Sequence, residues 1–236
     1  MMRGLHQALD VSTGDCDPRA CKPLDTAVTL YWLPLGAGGR SVRWNGRVFE
    51  ALVARHEHRA AQALYHSALE VLVGPERHVI EMTPQWAGTG DHGVVQSGPV
   101  GARWLGRSRL FRYEVRRWRD GLIPDVAEAV DSPLCVGRSP AQAQRLLDLV
   151  PQVPALTWGR DELGAGDMWN SNSVVSWLLA RSGHDVDGIL PPSQGRAPGW
   201  HAGLVAAALE LDGDRANVAA TAQSWSAQHW PLATQS

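Results

Sequence analysis

The spacing of apolar and polar positions predicts a mixture of short strands and helices. Residues 27–35 (AVTLYWLPL) are rich in β-branched and aromatic side chains, which is typical of a buried strand. Two further apolar runs flank a Gly-Pro-containing stretch at 74–77, which predicts a hairpin with a four-residue loop. In a fourth run, residues 109–118, Phe111, Tyr113 and Val115 are expected to share one face of a strand. The predicted strands are 27–35, 64–73, 78–82 and 109–118.

Helical spacing with recognisable start and stop signals appears three times. Asn45 is placed to cap a helix over 46–60, and Ser139-Pro140 is placed to begin one that runs to about Val150. The third predicted helix follows Asn170 or Ser171 and carries an apolar stripe at 174, 175, 178 and 179. Gly183 is placed to end it.

These elements predict an α+β fold, a small antiparallel sheet packed with helices. Residues 1–25 mix Gly, Asp, Pro and Cys without periodicity and are interpreted as a mobile leader. Residues 26–212 are expected to form one domain. Residues 213–236 are interpreted as a polar, Ala-rich tail.

Composition removes several classes of function. The chain has 236 residues and a net charge of -2, so it lacks the excess of cations that makes nucleic acid a main partner. It has no apolar run of about 18 residues and no secretory signal at its N-terminus, which favours a soluble, cytoplasmic protein without a membrane span. Three cysteines do not make a disulfide framework, and His56 and His58 lack the spacing of a metal site. We expect no metal and no cofactor.

The stretch from Trp169 to Ser173, Trp-Asn-Ser-Asn-Ser, opens the third helix and is the main candidate site. The first N–H groups of a helix lack partners within the helix, so this end favours an oxyanion or an ionised nucleophile. Asn and Ser are also the best capping residues, and this simpler explanation accounts for the spacing equally well.

The strand residues LYHSALEV, the following VIEM and the later helix WNSNSVVSWLLARSG together resemble the circularly permuted papain-like superfamily. That superfamily includes lecithin-retinol-acyltransferase-like proteins and NlpC-related amidases and thiol peptidases. The resemblance covers about residues 65–183. It implies a permuted papain-like fold in which a strand histidine precedes a nucleophile at a helix N-terminus.

Carried over by position, the resemblance makes His66 the general base, Ser171 the nucleophile and Glu81 the orienting acid. Glu70 is a competing acid on the face of His66. Ser171 stands where the superfamily has cysteine, and a serine hydroxyl needs a stronger local base than a thiol does. The main-chain N–H groups of Ser171 and Asn172 are the expected oxyanion donors. Trp169, Asn170 and Asn172 are the expected substrate-binding residues.

The function predicted from these residues is that of an amide or ester hydrolase, or an acyltransferase-like protein, for a small acyl or amide compound or a peptide. The alternative is a binding or interaction protein on the same fold, including a pseudoenzyme. One form of that alternative rests on the arginine-rich stretch 103–119, in which Arg112 and Arg116 would face an anionic partner. A solvated strand face explains this stretch as well.

Overall fold

The computed structural model describes residues 26–35, 62–85, 93–123, 125–193 and 195–213. The expectations for the leader, for the helix at 46–60, for His56 and His58, and for the tail after 213 lie outside these residues. Within the described ranges the fold is α+β, as predicted, with helices packed on a largely antiparallel sheet.

The sheet is built from seven strands in the described part of the chain. Six follow the order β4-β5-β3-β2-β1-β6, and a short β7 pairs in parallel with the end of β2. The strands are β1 Thr26–Pro34, β2 Ala63–Val73, β3 Glu76–Pro84, β4 Val94–Pro99, β5 Arg112–Arg119, β6 Val130–Gly137 and β7 Gly195–Arg196.

The β2–β3 hairpin is tighter than the sequence prediction. Its strands end at Val73 and begin again at Glu76, so Gly74 and Pro75 alone form the loop. Gly74 has a φ of +55°, and a glycine with positive φ at the first loop position suits a two-residue turn. The prediction of a four-residue loop was therefore wrong, because Glu76 and Arg77 pair with Val73 and Leu72.

The arginine-rich strand starts later than its pattern suggested. Tyr113 and Val115 are fully buried on one face of β5, as expected. Phe111 is 41% exposed, because the chain at Arg109–Phe111 forms a 3-10 turn and the strand begins at Arg112. Strand β6 was not predicted; its pairing with β1 is interrupted by register shifts, and Pro133 breaks its pattern.

Three helices pack against the sheet. Helix α1 is Pro140–Leu149, capped by Ser139 as predicted, helix α2 is Ser171–Ser182, and helix α3 spans 200–213. Trp177 and Leu178 of α2 pack in one core with Leu69 of β2 and Leu146 of α1. Among the described residues, the helices are too short or too polar to cross a bilayer.

Candidate functional site

Helix α2 begins at the candidate site with a complete capping arrangement. Asn170 is the N-cap, and its side-chain oxygen accepts a 2.8 Å hydrogen bond from the N–H of Asn172. In return, the hydroxyl of Ser173 accepts a 2.9 Å hydrogen bond from the N–H of Asn170. The helix ends at Gly183, whose φ of +83° is the left-handed conformation expected there. Capping thus explains part of the Asn-Ser-Asn-Ser stretch.

Polar side chains of this stretch also hold the segment 198–200, which leads into α3. The amides of Asn170 and Asn172 both donate to the carbonyl of Pro198, each at 2.8 Å. The hydroxyl of Ser173 donates to the carbonyl of Gly199 at 2.7 Å. Gly199 has no room for a side chain, since a Cβ there would lie 2.3 Å from the Asn170 oxygen. These hydrogen bonds fix the 198–200 segment against the start of α2.

Asn172 also joins helix α2 to the edge of strand β2. Its amide donates to the carbonyl of Tyr65 at 2.9 Å, and its oxygen accepts from the hydroxyl of Ser67 at 2.8 Å. Strand β3 pairs with β2 only from Leu69 to Val73, and β7 pairs with Ala63 and Leu64. Asn172 therefore hydrogen-bonds to the part of β2 that lies between its pairing with β7 and its pairing with β3.

A pocket of about 170 Å³ lies where this helix start meets β2. His66 and Ser171, 105 positions apart in the sequence, both line it. Most of the wall is apolar or aromatic. The lining residues are Leu35, Leu64, Tyr65, His66, Trp158, Met168, Asn170, Ser171, Asn172 and Pro198. Residues His66 and Ser171 therefore both contribute to the lining of one cavity, although no hydrogen bond joins them in the described structure.

Burial controls the protonation of His66. It lowers the pKa of the imidazole to about 4, and the carboxylate of Asp125 opposes this effect. Side chains alternate along β2, and Ser67 faces α2, so the imidazole of His66 is directed to the opposite face of the sheet, where Leu33 and Ala68 pack. At neutral pH the ring is uncharged, so it can accept a proton, although only as a weak base.

The two acids proposed from the sequence are engaged elsewhere. Glu81 lies opposite Arg116 in the β3–β5 register; burial raises the pKa of its carboxyl and Arg116 lowers it. Glu70 forms a 2.6 Å ion pair with Arg77. Neither carboxylate lines the pocket. The acid that acts on the pKa of His66 is Asp125, which the sequence reasoning missed because it lies in a loop without periodicity.

The expected oxyanion donors are only partly available. The N–H of Asn172 is used by the cap, because it donates to Asn170. The side-chain amides of both asparagines are also taken by main-chain carbonyls. The N–H of Ser171 is the one expected donor that forms none of these cap bonds.

The indole on the pocket wall differs from the one the sequence suggested. Trp169 is 1% exposed and packs in the core, whereas Trp158 lines the pocket. Trp158 is held there by main-chain bonds, since its N–H donates to Pro99 and its carbonyl accepts from Gly101. Asn170 and Asn172 do line the pocket, so only Trp169 among the expected substrate-binding residues lies away from it.

Arg112 and Arg116, the two arginines expected from the sequence to face an anionic partner, form hydrogen bonds inside the protein. Arg116 is 6% exposed and pairs with the buried Glu114 at 2.8 Å. Arg112 is half-buried and donates to the carbonyl of Gly106 and the hydroxyl of Ser97. The expectation that Arg116 faces a partner is wrong, because its side chain is buried against Glu114; Arg112 forms internal hydrogen bonds but stays partly exposed.

Comparison of the chain with protein-family models, curated proteins and solved structures gives no match. In the described residues, no group of three or more His, Cys, Asp or Glu side chains is placed to hold a metal ion.

Proposed function

We propose that the pocket between β2 and the start of α2 binds a short acyl group and that Ser171 attacks its ester or amide carbonyl. The observation that carries this proposal is that Ser171 lies at a helix N-terminus and lines a pocket to which residue His66 also contributes. The order of a strand histidine followed by a helix nucleophile supports a permuted papain-like arrangement, with serine in place of cysteine.

The proposed reaction has two stages, transfer of the acyl group to Ser171 and its release by water. The Ser171 hydroxyl oxygen bonds to the acyl carbon while its proton moves to His66, whose imidazole has to turn towards the pocket for this step. The alcohol or amine leaves with that proton, and water then releases the carboxylic acid from the serine ester. The Ser171 N–H and the dipole of α2 favour the negative oxygen of the intermediate. Asp125 favours the protonated imidazole through its charge.

The size of the pocket limits the substrate. A volume of about 170 Å³ is below the roughly 300–1,000 Å³ typical of sites for drug-sized ligands. The apolar wall formed by Leu35, Leu64 and Trp158 suits a short hydrocarbon chain. Short acyl esters are therefore better probes than long ones.

A second candidate, binding without turnover, is favoured by two observations. A pKa of about 4 makes His66 a poor base at neutral pH, and the N–H of Asn172 is not free to stabilise an oxyanion. In this case the pocket would hold a small apolar compound through the same walls.

Labelling with a small fluorophosphonate distinguishes these functions. Catalysis predicts labelling of the wild type, loss of labelling in Ser171→Ala and no change in Ser108→Ala, in which an exposed serine is removed. Ser171→Cys should then react with a thiol-directed reagent. If the wild type is not labelled and does not cleave short p-nitrophenyl esters, the catalytic proposal fails. A rise in melting temperature with small apolar compounds, lost on Leu64→Trp, would then support binding alone.

A further inference from the structure

The segment Arg103–Phe111, between β4 and β5, carries a group of exposed large apolar side chains. Trp104 is 71% exposed, Leu110 is 66% exposed and Phe111 is 41% exposed. Arg107 and Arg109 lie exposed between them. We call this stretch the 103–111 segment. A folded protein seldom displays this many large apolar side chains within nine residues unless something covers them.

The 103–111 segment is held in shape by its main chain. It consists of two 3-10 turns, Arg103–Arg107 and Arg109–Phe111, joined by a 2.9 Å hydrogen bond from the N–H of Ser108 to the carbonyl of Leu105. The side chain of Arg112 donates to the carbonyl of Gly106. The segment also packs closely on β4, since a Cβ at Gly106 would lie 2.8 Å from Pro99. Its apolar side chains are thus displayed by a defined backbone.

The charged side chains of the 103–111 segment are all arginines, and one of the three forms an ion pair. Arg103 is paired with Glu162 at 2.8 Å. Arg107 and Arg109 form no ion pair within the described part of the chain. Two cations without an ion-pair partner among the described residues therefore lie close in sequence to three exposed apolar side chains, on a chain whose net charge is -2.

We propose that the 103–111 segment docks on the surface of an anionic lipid bilayer. Trp and Phe rings settle at the depth of the lipid headgroups, Leu110 enters the acyl boundary, and the two arginines bind lipid phosphates. The exposed aliphatic side chain favours a bilayer over a nucleic acid, in which bases stack on aromatic faces. A bilayer can also accommodate the exposed apolar side chains and the arginines without a surface of complementary shape.

The segment adjoins the pocket through Trp158. The main chain of Trp158 is hydrogen-bonded to Pro99 and Gly101, just before the segment, while its side chain lines the pocket. Docking would therefore bring this wall of the pocket close to the lipid surface. The docking proposal does not depend on the chemistry of Ser171.

The test is co-sedimentation of the full chain with two kinds of vesicle, phosphatidylcholine alone and phosphatidylcholine mixed with phosphatidylglycerol. We expect binding to the anionic vesicles only, weakened by salt. Replacing both free arginines, Arg107→Ala with Arg109→Ala, should reduce the affinity roughly 30-fold. Trp104→Ala with Leu110→Ser should reduce it about 10-fold or more.

Matched controls separate docking from general stickiness. Leu122→Ser removes a side chain that is 72% exposed beyond the other end of β5, and it should bind vesicles like the wild type. Ser171→Ala should also bind normally, whether or not the pocket is catalytic. Circular dichroism establishes that each variant is folded.

Three results would overturn the proposal. Equal binding to neutral vesicles would remove the role of the arginines. Full binding by the Trp104, Leu110 double variant would leave only a polyanion site, such as one for an acidic protein. Failure to bind vesicles together with a concentration-dependent dimer that Leu110→Ser dissolves would make a second copy of the chain the occupant.

Discussion

The side-chain amide of Asn172 donates a 2.9 Å hydrogen bond to the main-chain carbonyl of Tyr65, so a helix residue bonds to an edge of strand β2. The neighbouring carbonyl of Leu64 points the other way, where it accepts from the N–H of Leu35, the residue that follows β1. Without Asn172, the Tyr65 carbonyl would lose its protein partner between β3 and β7. The start of α2 therefore supplies a hydrogen bond to β2 at a position where no neighbouring strand of the described chain supplies one.

Asn172→Ala should destabilise the fold far more than Ser171→Ala. The first change leaves the buried carbonyl of Tyr65 and the hydroxyl of Ser67 without their partner, at a cost of about 2–4 kcal/mol in the free energy of unfolding. The second removes a hydroxyl that takes no part in the cap and should cost less than about 1 kcal/mol. Urea denaturation measures both. Equal losses would show that Asn172 does not support the sheet edge.

Gly199→Ala should destabilise the protein through a steric clash at the cap. Gly199 has a φ of +90°, and an added Cβ would lie 2.3 Å from the Asn170 oxygen. We expect a loss of about 3 kcal/mol or more, since strain and a damaged cap add together.

Gly164→Ala is the matched control for Gly199→Ala. Gly164 also has a positive φ, +66°, but nothing lies within 4 Å of an added Cβ. This variant should therefore show the backbone strain alone, about 1–2 kcal/mol. Thermal melting of the two variants side by side gives the difference, and similar losses would contradict the packing of the 198–200 segment on Asn170.

Stability should fall as the pH drops from about 6.5 to about 4, in part because of His66. The pKa of His66 is near 6.5 when unfolded and about 4 when folded, so between these values the unfolded chain binds a proton that the folded chain does not. His66 therefore contributes stability above pH 6.5 relative to pH 4, on the order of 3 kcal/mol.

His66→Gln should flatten this part of the stability profile, measured by urea denaturation from pH 4 to pH 7. Some slope should remain, because burial also lowers the pKa of His184. An unchanged profile in the variant would mean that the imidazole of His66 titrates as it does in water.

The buried pair of Glu114 and Arg116 should be sensitive to the loss of one partner. Both residues are 6% exposed, and the guanidinium of Arg116 lies 2.8 Å from the Glu114 carboxylate. Arg116→Met leaves the Glu114 carboxylate buried without its cation, and we expect a loss of about 3–5 kcal/mol. Adding Glu114→Leu should recover part of it.

Arg103→Met is the control for that pair. Its ion pair with Glu162 joins an arginine side chain that is 78% exposed, so its loss should cost less than about 1 kcal/mol. Denaturant unfolding of the three variants compares the pairs. Comparable losses in the two single variants would mean that burial does not set the cost.

Local patterns in the sequence predicted much of the fold. The β-branched run at 27–35, the Ser139-Pro140 start and the Asn170 to Gly183 helix all correspond to observed elements, because their signals act over a few residues. Strand β6 was missed because it depends on pairing with β1 and carries a proline. Phe111 was misplaced because alternation does not reveal where a 3-10 turn gives way to a strand.

The candidate site was less accessible to sequence reasoning. Residues His66 and Ser171 both line one pocket, but spacing did not reveal which carboxylate acts on the pKa of His66. Asp125 lies in a loop, and only the folded chain brings it near β2. Likewise, the sequence did not reveal that the amides of Asn170 and Asn172 would be used by main-chain carbonyls.

The hydrogen bonds of Asn170, Asn172 and Ser173 have a consequence for how this chain can change by mutation. Three of the four polar residues at the start of α2 are constrained by folding, while Ser171 between them is not. Selection for a stable fold would keep the frame Asn-X-Asn-Ser and leave X open. Chains descended from a common ancestor with this one could then exchange the reactive group at position 171, or lose it, without rebuilding the pocket around it.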